Sequence, residues 1–163
     1  MKYWPHWCSH YPVLIKIMQI TNGDVLELGM GMGSTPLLHW LCFDKGRNLV
    51  SYENNKEWFE MHKHFHKDWH EINFVEDWDK IEIEKQWSVA LVDHSPARRR
   101  QLEIKRLAKY AKYVIVHDTQ PEDNHFYKYH WAFPKYKYQW TYKKAKPWTT
   151  VLSNFVNVGG ILK

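Results

Sequence analysis

The sequence of 163 residues holds only two cysteines, Cys8 and Cys42. That is too few for a disulfide framework or for a four-thiolate zinc site, and it predicts reducing, cytoplasmic surroundings. No apolar run approaches the roughly 20 residues of a membrane-spanning helix, so no membrane partner is expected. The opening residues 1–10 lack the basic and apolar regions of a secretory signal. Glycine and proline number seven each and are scattered, so nothing reads as a linker, repeat or low-complexity tract. One domain over residues 1–163 is therefore expected, with 1–22 as a covering segment and 23–163 as the core. Hydrophobic residues at 44% and charged residues at 25% exclude intrinsic disorder.

What the chain has in excess is rings: 10 Trp, 10 Tyr and 7 Phe, with 11 His beside them. Its charge is divided unevenly. Residues 1–93 carry nine Lys and Arg against fourteen Asp and Glu, whereas residues 94–163 carry fourteen against four. A basic second half suits an anionic partner or a plain solvated surface, and charge alone does not separate the two.

Short β-type runs alternate with helical stretches along most of the chain. The runs are 24–28 (DVLEL), 49–52 (LVSY), 72–75, 87–92 (WSVALV) and 113–116 (YVIV). Helices are expected over 34–43, from Asn55 to about residue 67 with an Asn as its cap, and over 96–111. Residues 10–20 read as a short covering helix. Such alternation implies a parallel sheet with helices on both faces. The tail differs: 135–143 and 149–155 read as two strands joined near Lys146-Pro147, an antiparallel hairpin at one sheet edge.

The first run ends in Glu27-Leu28-Gly29-Met30-Gly31-Met32-Gly33-Ser34, a strand entering alternating glycines and then a helix. Glycines there permit a tight turn and close approach of a ligand, and the helix start at Ser34 favours polar or anionic groups. The dinucleotide pattern G-x-G-x-x-G fails, because its last position falls on Ser34 or Pro36. The stretch resembles motif I of the class I S-adenosylmethionine-dependent methyltransferases, an acidic residue, x, then G-x-G-x-G. The resemblance runs from Asp24 to about Asn154. It implies a Rossmann-like, doubly wound, mostly parallel seven-stranded sheet with the C-terminal hairpin, and S-adenosylmethionine as cofactor. It implies that Glu27 holds the methionine end, that Gly29, Gly31 and Gly33 pass beneath the cofactor, and that Glu53 accepts from both ribose hydroxyls. In Glu76-Asp77-Trp78, Asp77 would take the adenine amine and Trp78 would pack on the ring. Asp93, ending the fourth strand, counts with the cofactor-facing residues as well as with the chemistry.

Ligands of open α/β sheets lie beyond the carboxyl ends of the strands, where strand order reverses. The fourth and fifth runs end in Asp93-His94-Ser95-Pro96 and His117-Asp118-Thr119. Asp93, His94, His117 and Asp118 are thus the candidate catalytic residues, with an imidazole as base for a hydroxyl acceptor. Metal is the alternative. The catechol-type O-methyltransferases bind Mg²⁺ through an Asp after strand four and an Asp-Asn pair after strand five; Asp93 and Asp118 match, and Thr119 replaces the Asn. Residues 93–96 depart from the [DNS]-P-P-[YFW] tetrapeptide of the nucleobase amino-methyltransferases. The last strand (TVLSNF) lacks the Glu of the ribose 2′-O enzymes' Lys-Asp-Lys-Glu set. The expected acceptor is accordingly a small polar molecule or glycan, ahead of RNA, with a second subunit as a candidate contributor to the pocket. A non-catalytic binding module is the rival from another class.

Four further clusters stand out. His62, His64, His66 and His70 are expected on a solvated helix face. Arg98-Arg99-Arg100 is expected on a surface helix. Trp4, His6, Trp7, Cys8 and His10 suit a metal site, a substrate lid or packing over the sheet, and packing is expected. Tyr136, Tyr138, Trp140 and Tyr142 alternate with polar residues, and their face is expected in the core.

Overall fold

A computed structural model describes the fold over residues 5–161; Trp4 of the N-terminal aromatic cluster lies outside the described residues, as does the His6 side chain. Seven strands form one sheet in the order β3-β2-β1-β4-β5-β7-β6. They are β1 (Val25–Leu28), β2 (Leu49–Glu53), β3 (His70–Phe74), β4 (Trp87–Val92), β5 (Ala111–Val116), β6 (Tyr138–Tyr142) and β7 (Thr149–Ser153). The first five run parallel to one another. β7 runs antiparallel to both β5 and β6, so the tail is a hairpin whose second strand, not its first, joins the parallel sheet. Strand order reverses between β1 and β4, where Leu28 sits beside Val92.

The period of two along each strand divides the core into two layers. Val89 and Leu91 of β4 face one side with Val25, Leu49 and Ile115. Helices α1 (Tyr11–Ile20) and α2 (Ser34–Asp44) cover that side through Val13, Leu14, Ile17, Met18, Leu38 and Cys42. Ala90 and Val92 face the other side with Leu26, Val114 and Val116, under Ile104 and Leu107 of α4 (Arg100–Leu107). Tyr138, Trp140 and Tyr142 pack partly buried against the first layer, and Tyr136 is buried in the second.

Two helices are shorter than their sequence patterns. The expected Asn cap of α3 (Lys56–His62) is Asn55, its Oδ1 accepting from the Glu57 and Trp58 amides. A 3₁₀ turn, Lys63–Phe65, then ends the helix, and Lys67 bridges back to His70 at the start of β3. The basic stretch begins as a 3₁₀ turn, Ala97–Arg99, and α4 stops at Leu107, since Ala111 must pair with Trp87. Sheet pairing overrides helical propensity there. Between β5 and β6 the chain makes short helical turns, including α5 (Asn124–Tyr127), which bring Tyr127 and Tyr129 back over the strand ends. No helix among the described residues is long and apolar enough to cross a membrane.

Candidate functional site

A cavity of about 360 Å³ opens at the carboxyl ends of β1, β2, β4 and β5. Its lining joins two groups of residues. One comes from the glycine turn and β2: Met30, Gly31, Met32, Gly33, Ser34 and Glu53, with Asn55 and Trp58 beyond. The other comes from β4 and β5: Asp93, Ser95, His117 and Asp118, closed by Trp7, His10 and Pro147.

The first group is held by local backbone bonds. Glu53 ends β2, and its two oxygens accept from the Met30 amide at 2.8 Å and the Asn55 amide at 2.6 Å. Glu53 also lines the cavity, where a carboxylate suits a diol. Burial raises its pKa against those backbone bonds. Gly29 has φ +93, and a Cβ there would lie 2.6 Å from the Asp93 and His94 backbone. Only glycine lets β1 turn this close to β4. At Gly33 a Cβ would meet the Trp7 carbonyl at 3.0 Å and the Cys8 sulfur at 3.3 Å, so the N-terminal segment lies against the turn. Tyr11 fastens it there, its hydroxyl donating to the Gly33 carbonyl at 2.9 Å.

Glu27 does not reach the cavity wall. It is fully buried one layer below the turn, accepting from Thr35 Oγ1 at 3.0 Å and Ser51 Oγ at 2.6 Å. Thr35 Oγ1 in turn accepts from the Gly31 amide. The carboxylate therefore fixes the glycine turn, and direct contact with a methionine ammonium is not what this geometry provides. Burial pushes its pKa up to about 7, opposed by its hydroxyl partners. The Ser51 hydroxyl also meets His70 Nε2 at 2.9 Å, and His70 Nδ1 lies 2.9 Å from His39 Nδ1.

In the second group, the sequence places Asp93, His117 and Asp118 correctly together but gives no hint of their partners. Arg100 is buried, and its guanidinium reaches Asp93 Oδ1 at 2.9 Å and Asp118 Oδ2 at 3.0 Å. It also donates to the His94 and Asp93 carbonyls. The arginine run was expected on the surface; Arg98 precedes the helix proper, while Arg99 bridges Asp79 and Glu103 and Arg100 turns inward to the carboxylates. Asp118 has φ 56, an unusual conformation for a side-chain-bearing residue. The Arg100 bond and the Tyr127 hydroxyl at 2.9 Å hold it there. His117 Nδ1 lies 3.2 Å from Asp93 Oδ2, and Nε2 lies 2.8 Å from Ser9 Oγ. The Ser9 proton is committed to the Pro147 carbonyl, so Ser9 accepts from the ring. With a donor needed at both nitrogens, His117 is an imidazolium. Burial disfavours that cation, but Asp93 and Asp118 outweigh it and raise the pKa. Asp93 pays for burial as well, yet His117 and Arg100 drive it below the usual carboxylate range.

Besides Glu27, three expected site residues lie elsewhere. His94 is buried between Trp78, 4.1 Å away ring to ring, and Glu103, which its Nε2 meets at 3.1 Å. It supports the strand end and does not face the cavity. Trp78 belongs to the core and donates to the Ser95 carbonyl, while Asp77 caps the short turn Trp78–Lys80. The flat wall of the cavity is instead Trp58, which stacks on His62 and meets Trp7 edge-on at 6.0 Å. The histidine run divides too: His64 and His66 are exposed, but His62 is buried on Trp58 and His70 lies inside β3.

Asp93, His117 and Asp118 offer atoms within 4.8 Å of one another, the spacing of a metal site. They do not fit Mg²⁺. Both carboxylates already neutralise a buried guanidinium, and the third group is an imidazolium, so the hard-oxygen set expected for Mg²⁺ is spent. His10 is the least expected member. It is 1% exposed, lies edge-on to His117 at 5.0 Å, and neither ring nitrogen has a hydrogen-bond partner among the described residues. Burial beside His117 lowers its pKa to about 4, so the ring is neutral.

Solved structures share this arrangement of strands. Human methyltransferase-like protein 13 in complex with SAH aligns with a TM-score of 0.66 at 13% identity, over 93% of this chain and 84% of that one. The O-methyltransferase from Bacillus cereus in complex with SAH gives 0.63 at 11% identity, over 92% and 81%. The N-terminal domain of human METTL16 in complex with SAH gives 0.63 at 11%, over 96% and 73%. The chain has the class I methyltransferase fold. No family model matches the sequence, and no curated protein does. In this methyltransferase fold the cavity lies where the sheet's strand order reverses, beyond the ends of β1 and β4.

Proposed function

We propose that the protein is an S-adenosylmethionine-dependent methyltransferase acting on a hydroxyl of a small polar molecule or sugar. The observation that carries this reading is the single cavity joining the glycine turn and Glu53 to Asp93, His117 and Asp118. Gly31, Gly33 and Ser34 would lie along the cofactor, Glu53 would accept its ribose hydroxyls, and Trp58 offers a face for its base. When bound, the cofactor supplies a methyl group on a sulfonium. The Asp93–His117–Asp118–Arg100 cluster at the other end holds no free base. Its charges cancel in pairs, and its part is to shape a neutral, rigid wall for the acceptor.

Calorimetry with S-adenosylhomocysteine tests the cofactor half. Binding is expected, weakened at least tenfold by Glu53→Ala, whose loss removes the diol's acceptor. Binding of NAD in its place would sink the reading. Labelled S-adenosylmethionine incubated with separated small-molecule, glycan and RNA fractions then reads the acceptor class. Label in the RNA fraction alone would replace the proposed acceptor with a nucleic acid.

A further inference from the structure

The group that the acceptor end of the cavity leaves unused is His10. The charged side chains there are engaged, Asp93 and Asp118 with Arg100 and His117 with Asp93 and Ser9, and Ser95 is exposed to solvent. Among the described residues, His10 alone keeps two buried ring nitrogens without a partner, in the wall of the cavity and edge-on to His117. A native fold rarely tolerates an unpaired buried polar group unless a ligand completes it. Two carboxylates face one guanidinium and one imidazolium beside it, so the surroundings are neutral and favour an uncharged partner.

We propose that His10 is the acceptor-binding residue: one ring nitrogen receives the O–H of an uncharged hydroxyl acceptor and takes up that proton as the methyl group arrives. This rests on the methyl-transfer reading above. In the step, a lone pair of the acceptor oxygen forms the new C–O bond. The carbon–sulfur bond of the sulfonium donor breaks, and its electron pair stays on sulfur. The hydroxyl proton passes to His10 and is released from the ring to water once the product has departed. The oxygen becomes strongly acidic as its new bond forms, so a weak base is sufficient. A ring that burial keeps neutral is ready to accept at every physiological pH.

The test compares the wild type with His10→Phe, which keeps the ring and removes both nitrogens, and His10→Gln, which restores an acceptor. Three readouts are taken: S-adenosylhomocysteine affinity, methyl transfer to phenol, catechol and glucose offered singly, and thermal midpoint. Affinity is expected within twofold in all three proteins. Transfer is expected to fall by roughly 10²-fold or more in the Phe variant and to recover in part with Gln. The midpoint of the Phe variant is expected to rise, by about 2–4 °C, because an orphaned polar pair becomes an apolar ring. A lowered midpoint, undiminished transfer in the Phe variant, or no transfer to any hydroxyl by a wild type that binds S-adenosylhomocysteine overturns the assignment. A wild type that fails to bind S-adenosylhomocysteine sinks the cofactor reading instead, and the midpoint comparison still decides whether His10 is there for structure.

Discussion

The two ends of the cavity are built by opposite means. At the glycine turn, Glu53 holds the amides of Met30 and Asn55, and Thr35 holds Gly31, all within a short stretch or an adjacent strand. At the other end, Asp93, His117 and Asp118 depend on Ser9, Arg100 and Tyr127, contributed by three separate segments. A turn fixed by its own backbone tolerates change around it. A charge cluster assembled from distant parts depends on every member.

The sharpest way to break the contrast is Arg100→Met. It leaves two carboxylates sharing the His117 imidazolium alone, and removing one partner of a buried pair costs about 3–5 kcal/mol. Urea unfolding should show that loss, and Asp93→Asn in the same chain should recover part of it. Next is Gly29→Ala, where the Cβ would collide with the Asp93 and His94 backbone at a positive φ. A destabilisation of about 3 kcal/mol is expected. Gly31→Ala, whose Cβ meets only Ser34 Oγ at 3.4 Å, should cost under about 1 kcal/mol and act on S-adenosylhomocysteine affinity instead.

A smaller effect lies in the pH profile of stability. Glu27 keeps its proton up to about 7 when folded, against 4.5 in a free chain. Its contribution is therefore fully present below pH 4.5 and lost as pH rises through about 7. His10 and His70, lowered to about 4 and about 3 from 6.5, act in the other direction: the unfolded chain takes up protons first, and stability is lost as pH falls below 6.5. Urea midpoints at pH 5 and pH 8 should show Glu27→Gln gaining on the wild type at the alkaline value. The smallest expected effect is none: EDTA or millimolar Mg²⁺ should leave the thermal midpoint where it is, because Arg100 already occupies both carboxylates. A shift in either would show that the guanidinium yields to metal.

What was legible in the sequence follows the same division. The strands, the glycine turn, an Asn cap and the strand-end residues Glu53, Asp93, His117 and Asp118 each announce themselves through local pattern. Burial of Arg100 does not, because three consecutive arginines read as surface until the sheet is closed and two carboxylates need a cation. Nor does the inward turn of His94 onto Glu103, nine residues away, which was set by the crossover from β4 into α4. Trp58 was hidden in a helix whose inner face only the cavity defines. Asp77-Trp78 misled for the opposite reason: the motif is in the expected place, but its indole serves the core.

The hydrogen bonds beneath the glycine turn have a direction. Ser51 gives its proton to Glu27, so His70 must donate to Ser51 through Nε2. A neutral His70 then accepts at Nδ1, and His39 must donate from its own Nδ1. Protonating Glu27 permits the reverse at every link. The tautomers of two imidazoles on the α2 side of the sheet are thereby tied to the charge of a carboxylate that no solvent touches. Nitrogen resonances of His39 and His70 make that hidden charge visible from outside the cavity, without a label in it.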